Sequence, residues 1–510
     1  MNEYDSIYKE NAAPVQATVT VAEKPPVVFT RSERITAIVM LLAGFLWVRL
    51  CLYHESGLFT SLLYIAIITA QAVFFRKNGV VFTKSEKLTL GVMYAFSLVY
   101  TLTANDLLKG LNTIFLMMLG CLLLFHTANP DGDILRFLPV SSAYSMVAAP
   151  LHKCNAAALA VTSGAKKSGF WKNTGYILLG LLLAVPVTVI AGSLLYSADD
   201  NMANLIDRLG KLPSDEILVL IPHLLFGFLL GSMMFSAVYS AHQKALRIVP
   251  EECNNIARNC RIVPNPMVYA MVTPLCILYL LFFFSQLQYF LGGFTGDVTG
   301  FTYAEYARRG FFELCGVCCL NLIVIGGMGF FAKLTGTEKP LALKLFASFL
   351  CISSLLLSGT AIAKMFLYIR VYGMTQLRVY TTWFMFLLVV LFGLLLVKQF
   401  KATLNIGKIG AVTFTVLFAL LCFSRPDAWM TRYNAELYLS GQLEEFDSEV
   451  LYEMSDDAWS ALTAYDSETL DRLLNADTKR TFTLYTTSSE HPDFWDVLNL
   501  SAWELMAYET

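Results

Sequence analysis

The sequence predicts an all-α polytopic transmembrane helix bundle of about eleven spans, with a small, mainly helical C-terminal domain outside the cytoplasm. Three observations carry this. Of 510 residues 56% are hydrophobic and 15% are charged, against roughly a quarter charged in a soluble domain, and mean hydropathy is +0.57. The apolar residues form continuous runs of about 20 residues, the length a helix needs to cross hydrocarbon. They do not alternate as barrel strands would. Charge is also segregated. Arg425 to Thr510 hold 18 acidic and 5 basic side chains, whereas the remainder holds 21 acidic and 32 basic.

Residues 1–30 are polar, contain Pro14, Pro25 and Pro26, and read as a loosely held tail. No apolar stretch lies where a cleavable signal would need it, so the first run is expected to anchor. Residues 31–424 form the bundle. Its spans fall roughly at 35–53, 58–75, 88–104, 111–127, 176–196, 217–240, 267–291, 310–331, 341–369, 380–397 and 408–424. Taking the N-terminus as cytoplasmic puts 23 Lys and Arg on the cytoplasmic side and eight on the other. That bias is the one membrane insertion favours. An odd span count then sends the acidic residues 425–510 outside. Trp47 and Trp383 fall near outer ends, and Pro186 and Pro274 sit inside spans, where proline frees backbone carbonyls. No strong internal repeat is expected. The small-residue stretch from Ala143 to Val161 suits a helix on the membrane surface. In the tail, helices are expected over Asp427–Leu439, Asp456–Tyr465, Ser467–Leu474 and Phe494–Tyr508. Thr481–Thr487 alternates as a short strand would.

The stretch from Tyr303 to Phe331 is charged at its start and apolar afterwards, with Asn321 its one clearly polar side chain in the run. Glu305, Arg309 and Glu313 share a helix face at i, i+4 and i+8. Glu313 lies about one turn inside its span and Lys364 about one turn inside the next. An ionisable group at that depth is costly and needs a partner. A Glu313–Lys364 pair is therefore the candidate centre of an outward-facing polar pocket. Arg49, Glu305, Arg308, Arg309, Arg370 and Arg378 are expected at the same depth. The bland alternative is a set of snorkelling charges and structural ion pairs. Tyr368, Tyr372 and Tyr380 with Arg370 and Arg378 make an aromatic and basic rim.

Three stretches in order carry a resemblance: Tyr303 to Leu314 (YAEYARRGFFEL) followed by Asn321; Leu367 to Tyr380 (LYIRVYGMTQLRVY); and Arg425-Pro-Asp427 with Arg432-Tyr-Asn434 and Tyr438-Leu-Ser-Gly441. Over about residues 170–465 the chain resembles an uncharacterised family of bacterial multi-pass membrane proteins, the domain of unknown function 4153/4173 type. The motif residues so implied are Tyr303, Tyr306, Gly310, Asn321, Tyr372, Gly373, Thr375, Tyr433 and Asn434. The resemblance implies a polytopic protein of the bacterial cytoplasmic membrane and no activity.

The six histidines have no zinc-ligand spacing. No phosphate loop, nucleophile elbow or dinucleotide fingerprint appears. Asp131-Gly-Asp133 reads as a turn. Cys315, Cys318 and Cys319 read as small apolar residues at a helix interface. No catalytic, cofactor or metal site is expected, and no nucleic-acid partner. The bilayer is the expected partner, with an envelope protein meeting the acidic tail. Three functions stay open: a non-enzymatic accessory or sensory envelope protein, a permease for a small or anionic solute, and a membrane-embedded transferase acting on lipid-linked substrates.

Overall fold

Two segments of nearly the same sequence open helices in the first part of the chain. They are Phe29-Thr-Arg-Ser-Glu33 and Phe82-Thr-Lys-Ser-Glu86. In each, the glutamate N–H donates to the threonine hydroxyl, and the threonine N–H donates to the carboxylate at 2.7 and 2.6 Å. This reciprocal cap satisfies donors that a bare helix start leaves open. The likeness runs from Val27 to Met40 and from Val80 to Met93, so a short internal repeat exists where none was expected. It is confined to helix starts, and the apolar runs that dominate the composition do not share it.

The computed structural model describes residues 28–53, 56–129, 149–162, 194–199, 215–245, 258–294, 311–333, 339–401, 403–487 and 499–508, with a few isolated positions beside them. We number the helices α1 (Arg31–Val48, extended by a π turn at Arg49–Tyr53), α2 (Leu58–Lys77), α3 (Lys84–Ser97), α4 (Val99–Leu102), α5 (Asp106–Ala128), α6 (Ala156–Thr162), α7 (Asp215–His242), α8 (Asn265–Phe294), α9 (Phe311–Phe331), α10 (Leu341–Tyr372), α11 (Gln376–Phe400) and α12 (Ile406–Phe423). The tail adds α13 (Pro426–Leu439), a 3-10 turn at Ser448–Glu453, α14 (Asp456–Leu462), α15 (Ser467–Leu473), α16 (Ala476–Thr487) and α17 (Leu500–Ala507). Among the described residues nine helices are long and apolar enough to cross a membrane. The chain is thus a multi-pass, all-α membrane protein. The expected third span is broken at Leu98 into α3 and α4. Most of the expected fifth, at 176–196, lies outside the described residues, although its last residues, 194–196, are helical. Most of the 1–30 tail lies outside them too. Phe29 and Thr30 are held firmly, the first buried against Tyr239 and the second capping α1.

Helix packing falls into three groups. α8, α9, α10 and α11 enclose one apolar core, with Leu350, Cys351, Met385 and Phe392 at its centre. Its polar thread is Asn321, which accepts from the Tyr279 hydroxyl at 2.5 Å and donates to Ser354 Oγ at 2.9 Å. Cys318 lies 3.3 Å from Ser358 Oγ. A second core joins α2, α3, α5 and α12 through Phe96, Phe115 and Phe418, whose ring centroids lie 4.8 to 5.7 Å apart. Trp383 of α11 closes this stack against Phe418.

The third group is α1 against α7, and its contact is made by missing side chains. Gly44 faces Gly227 and Gly231. A Cβ added at Gly44 would meet Gly231 N at 2.3 Å and the Gly227 carbonyl at 2.4 Å. One added at Gly231 would meet the Met40 carbonyl at 2.5 Å. In lipid, apolar side chains gain little by leaving the acyl chains, so close backbone approach holds helices together. α6 buries Ala156, Ala157 and Ala160 beside Met40 and Phe235 of these two helices, while Leu159 and Val161 stay exposed.

The ends of α2, α5 and α7 meet at one face, where Phe74, Phe75, Leu124, Ala128 and Ala241 pack together. α1 starts at that face. The tail packs at the opposite face, on the turns between α4 and α5 and between α10 and α11. Its core holds Trp459, Leu462, Leu470, Leu473, Phe482 and Leu505. The strand expected at Thr481–Thr487 is instead the second half of α16. Asn475 Oδ1 accepts from Thr478 N–H at 2.8 Å, starting the helix. Thr481, Thr483 and Thr486 then donate to carbonyls four residues back. Thr478, Phe482 and Thr486 are buried on one face, so tertiary packing overrides the β preference of the threonines.

Candidate functional site

The polar residues at the tail-bearing end are positioned by the α4–α5 turn, the α10–α11 turn and the first residues after α12. The α10–α11 turn is short because Gly373 takes φ +73°, a conformation that favours glycine. An added Cβ would stand 2.7 Å from Asn434 Oδ1. Asn434 of α13 clamps this turn from above. Met374 N–H donates to Asn434 Oδ1 at 2.7 Å, and Asn434 Nδ2 donates to the Met374 carbonyl at 2.8 Å. Arg378 reaches back to donate to the Tyr372 and Gly373 carbonyls at 3.0 and 2.6 Å, and its guanidinium lies 4.3 Å from the centre of the Tyr368 ring. It thereby satisfies the end of α10, whose last carbonyls are otherwise open. Thr375 stands just before α11 without a side-chain cap, Tyr433 packs on the α8–α11 core, and Tyr372 is exposed.

The second junction gathers charge. The chain leaves α12 through Arg425, whose φ of +49° is left-handed and strained for a residue before proline. Its guanidinium holds it there. It donates to Glu504 through Nη1 and Nη2, both at 2.8 Å, to Ser460 at 3.0 Å, to Ser501 at 2.7 Å and to Asp457 at 3.3 Å. Asp457 is fully buried. It accepts from Thr103 Oγ1 and Ser501 Oγ, and from Ala104 N–H at 3.2 Å. Asp427 is also fully buried. Its Oδ2 accepts from Asn105 Nδ2 at 2.8 Å, Gln376 Nε2 at 2.9 Å, and Ser455 N–H and Oγ at 3.1 and 2.6 Å. Asn105 also donates to the Tyr380 hydroxyl at 2.9 Å and caps α5 through Leu108 N–H. Burial works against the Glu504 carboxylate, but Arg425 outweighs it and holds its pKa below the usual value. Neighbouring Asp456 is held above the usual aspartate value, by burial first and with Lys109 opposing.

Of the residues expected around an outer pocket, the structure places five. Glu313 is exposed in the first turn of α9, Lys364 is half-buried on α10, and the two side chains act on each other electrostatically. Arg370 is exposed in the last turn of α10, and Arg49 is exposed on the π turn after α1. Arg378 is engaged with backbone carbonyls. Glu305, Arg308 and Arg309, with Tyr303, Tyr306 and Gly310, lie outside the described residues. The sequence reading missed Asn105, Asp427 and Asp457 as a set. Its usable signal was Arg425-Pro-Asp427, which it quoted only as part of a motif. Among the described residues no group of three or more His, Cys, Asp or Glu could hold a metal ion.

No curated protein and no solved structure matches the chain. The family model described as "Domain of unknown function (DUF4153)" matches residues 90–465. That match takes in the α4–α5 turn, the Gly373–Asn434 clamp, Arg425 and both buried aspartates, and the chain belongs to this family.

Proposed function

We propose that the protein is a non-enzymatic accessory or sensory protein of the cell envelope. Its acidic tail meets a partner or ligand, and the bundle responds. The observation that carries this is the burial of Asp427 and Asp457, two tail carboxylates that each accept a hydrogen bond from the α4–α5 turn. A buried charged contact breaks sharply when one partner moves. Tail and bundle therefore move as a unit rather than as tethered bodies. The Lys and Arg bias supports a cytoplasmic face where α1 starts, with the tail outside, in a bacterial plasma membrane.

The Glu313–Lys364 interaction favours a second reading, a permease for a small or anionic solute. The two are separated in the native host by complementing a deletion of the gene. On the first reading Arg425→Gln, still inserted in the membrane, fails to complement, and Glu313→Gln with Lys364→Gln succeeds. The reverse pattern would sink the sensory reading and leave the permease. A tag at Thr510 labelled only from the cytosol would overturn the orientation.

A further inference from the structure

The polar seat of the tail leaves one buried atom unmatched. Asp427 is fully buried, and its Oδ2 takes four hydrogen bonds. Its Oδ1 is equally buried and takes none. A carboxylate oxygen out of water and without a donor is penalised. The first turn of α13 favours an acidic side chain, yet no N–H of that turn reaches Oδ1. The cations of the junction are engaged elsewhere. Arg425 is shared by Asp457 and Glu504, and Lys109 acts on Asp106 and Asp456. Among the described residues Asp427 forms no ion pair with any Lys or Arg.

Two further oxygens stand beside this carboxylate. Asn105 Nδ2 donates to Asp427 Oδ2 at 2.8 Å and to the Tyr380 hydroxyl at 2.9 Å. The phenol oxygen is therefore a neighbour of the carboxylate, and Asp427 acts on it electrostatically. Gln376 spends its Nε2 on Asp427 Oδ2 at 2.9 Å, which brings its own Oε1 to the same place. Gln376 is half-buried, so this spot is reached from water at the α10–α11 turn. The carboxylate belongs to the tail, and the phenol and the amide belong to the first turns of α11. A water molecule would match the open lone pairs and bring no charge. A small cation brings the charge and takes oxygen ligands alone. One carboxylate among neutral oxygens suits a monovalent ion. A transition metal would ask for several His, Cys, Asp or Glu ligands, and the described residues hold no such group.

We propose that Asp427 Oδ1, the Tyr380 hydroxyl oxygen and Gln376 Oε1 form a binding site for an alkali cation, sodium or potassium, which locks the tail onto the start of α11. The site stands apart from the sensory reading, because its test reads binding and not complementation. The full chain is placed in phosphatidylcholine nanodiscs at constant ionic strength, and choline chloride is replaced stepwise by sodium or potassium chloride. At least one of the two ions should raise the thermal midpoint by a few degrees, as a ligand that binds the folded state does. Amide exchange should slow at Ser455 and at the starts of α11 and α13, and stay unchanged in α1 and α7. Asp427→Asn keeps an acceptor for the same donors without the charge, and should lose the ion-dependent shift. Asp106→Asn, at an exposed carboxylate of the same junction, should keep it. If Asp427→Asn does not fold, Tyr380→Phe serves. It should need several-fold more of the ion for the same shift, whereas a purely structural phenol would lower every midpoint alike. The site is refuted if choline, sodium and potassium give one midpoint, or if Asp427→Asn keeps the full shift. It is also refuted if calcium or magnesium gives the shift and neither alkali ion does.

Discussion

The α1–α7 contact and the seat of the tail are built on opposite principles. Between α1 and α7 the crossing rests on close backbone approach, where Gly44, Gly227 and Gly231 let two backbones touch. At the tail, the buried Asp427 and Asp457 and the half-buried Arg425 share a dense set of donors and acceptors. The difference follows the surroundings. Within lipid the alternative to a helix contact is another apolar surface, so shape alone discriminates. At the membrane boundary the alternative is water, and a polar group left half-paired is penalised. The first contact therefore fixes distance, and the second fixes register.

The largest effect is expected where the backbones touch. Gly44→Leu requires space that Gly231 N and the Gly227 carbonyl already occupy, and overpacking against backbone has no flexible side chain to yield. The variant should fail to give a monodisperse peak by fluorescence-detected size exclusion. Gly91→Leu, with open space at its Cβ position, should behave as wild type. If Gly44→Leu is tolerated, shape does not hold this contact.

Next comes the polar seat. Arg425→Ala leaves Asp457 buried without its cation, which costs about 3–5 kcal/mol for a buried pair broken on one side. Hydrogen exchange of α13–α17 and of the Thr103–Asn105 turn should rise together, while α1 and α7 stay protected. The acid response sharpens the point. Glu504 is held below its ordinary 4.5, so its contribution is complete above 4.5 and is lost as pH falls through the lowered value. Asp456, held above its ordinary 3.8, has the opposite sign, since protonating it on the way down relieves a penalty. Protease resistance of α17 should therefore hold or rise slightly toward pH 4.5 and collapse below it. In Arg425→Ala the cation that lowers Glu504 is gone, so resistance should start lower and its Glu504-driven loss below pH 4.5 should shrink or vanish.

The contrast also explains what could be read from the chain. Apolar runs are additive along the sequence, so the all-α membrane bundle was legible. The break at Leu98 was not, because composition averages over a window that spans both α3 and α4. Thr481–Thr487 misled because local alternation is weaker than the packing of Phe482. Glu313 and Lys364 were visible as charges in the wrong medium. Asp427 and Asp457 were not, because an aspartate in a polar tail is unremarkable until the fold buries it. Gly44 and Gly227 were equally silent, since neither lies in a turn and only a partner helix gives them meaning.

The smallest expected effect lies at the repeated caps, and it tests whether the two principles meet in one element. Thr30→Ala and Thr83→Ala each remove a hydroxyl from the same reciprocal cap, a loss of about 1 kcal/mol. Their surroundings differ. Glu33 is buried beside a helix start whose Phe29 packs on Tyr239 of α7. Glu86 has a second partner, His126 Nδ1 at 2.9 Å on α5, which keeps its carboxylate in place when the threonine hydroxyl is gone. Thr83→Ala should therefore cost less than Thr30→Ala in thermal melts in detergent. Adding His126→Ala to Thr83→Ala should cost more than the two single changes summed, since the buried carboxylate is then left with Thr127 Oγ1, at 3.5 Å, as its remaining side-chain partner. Equal costs at Thr30 and Thr83 would mean that the cap alone sets the energy, and that the neighbouring helix contributes nothing to holding the start.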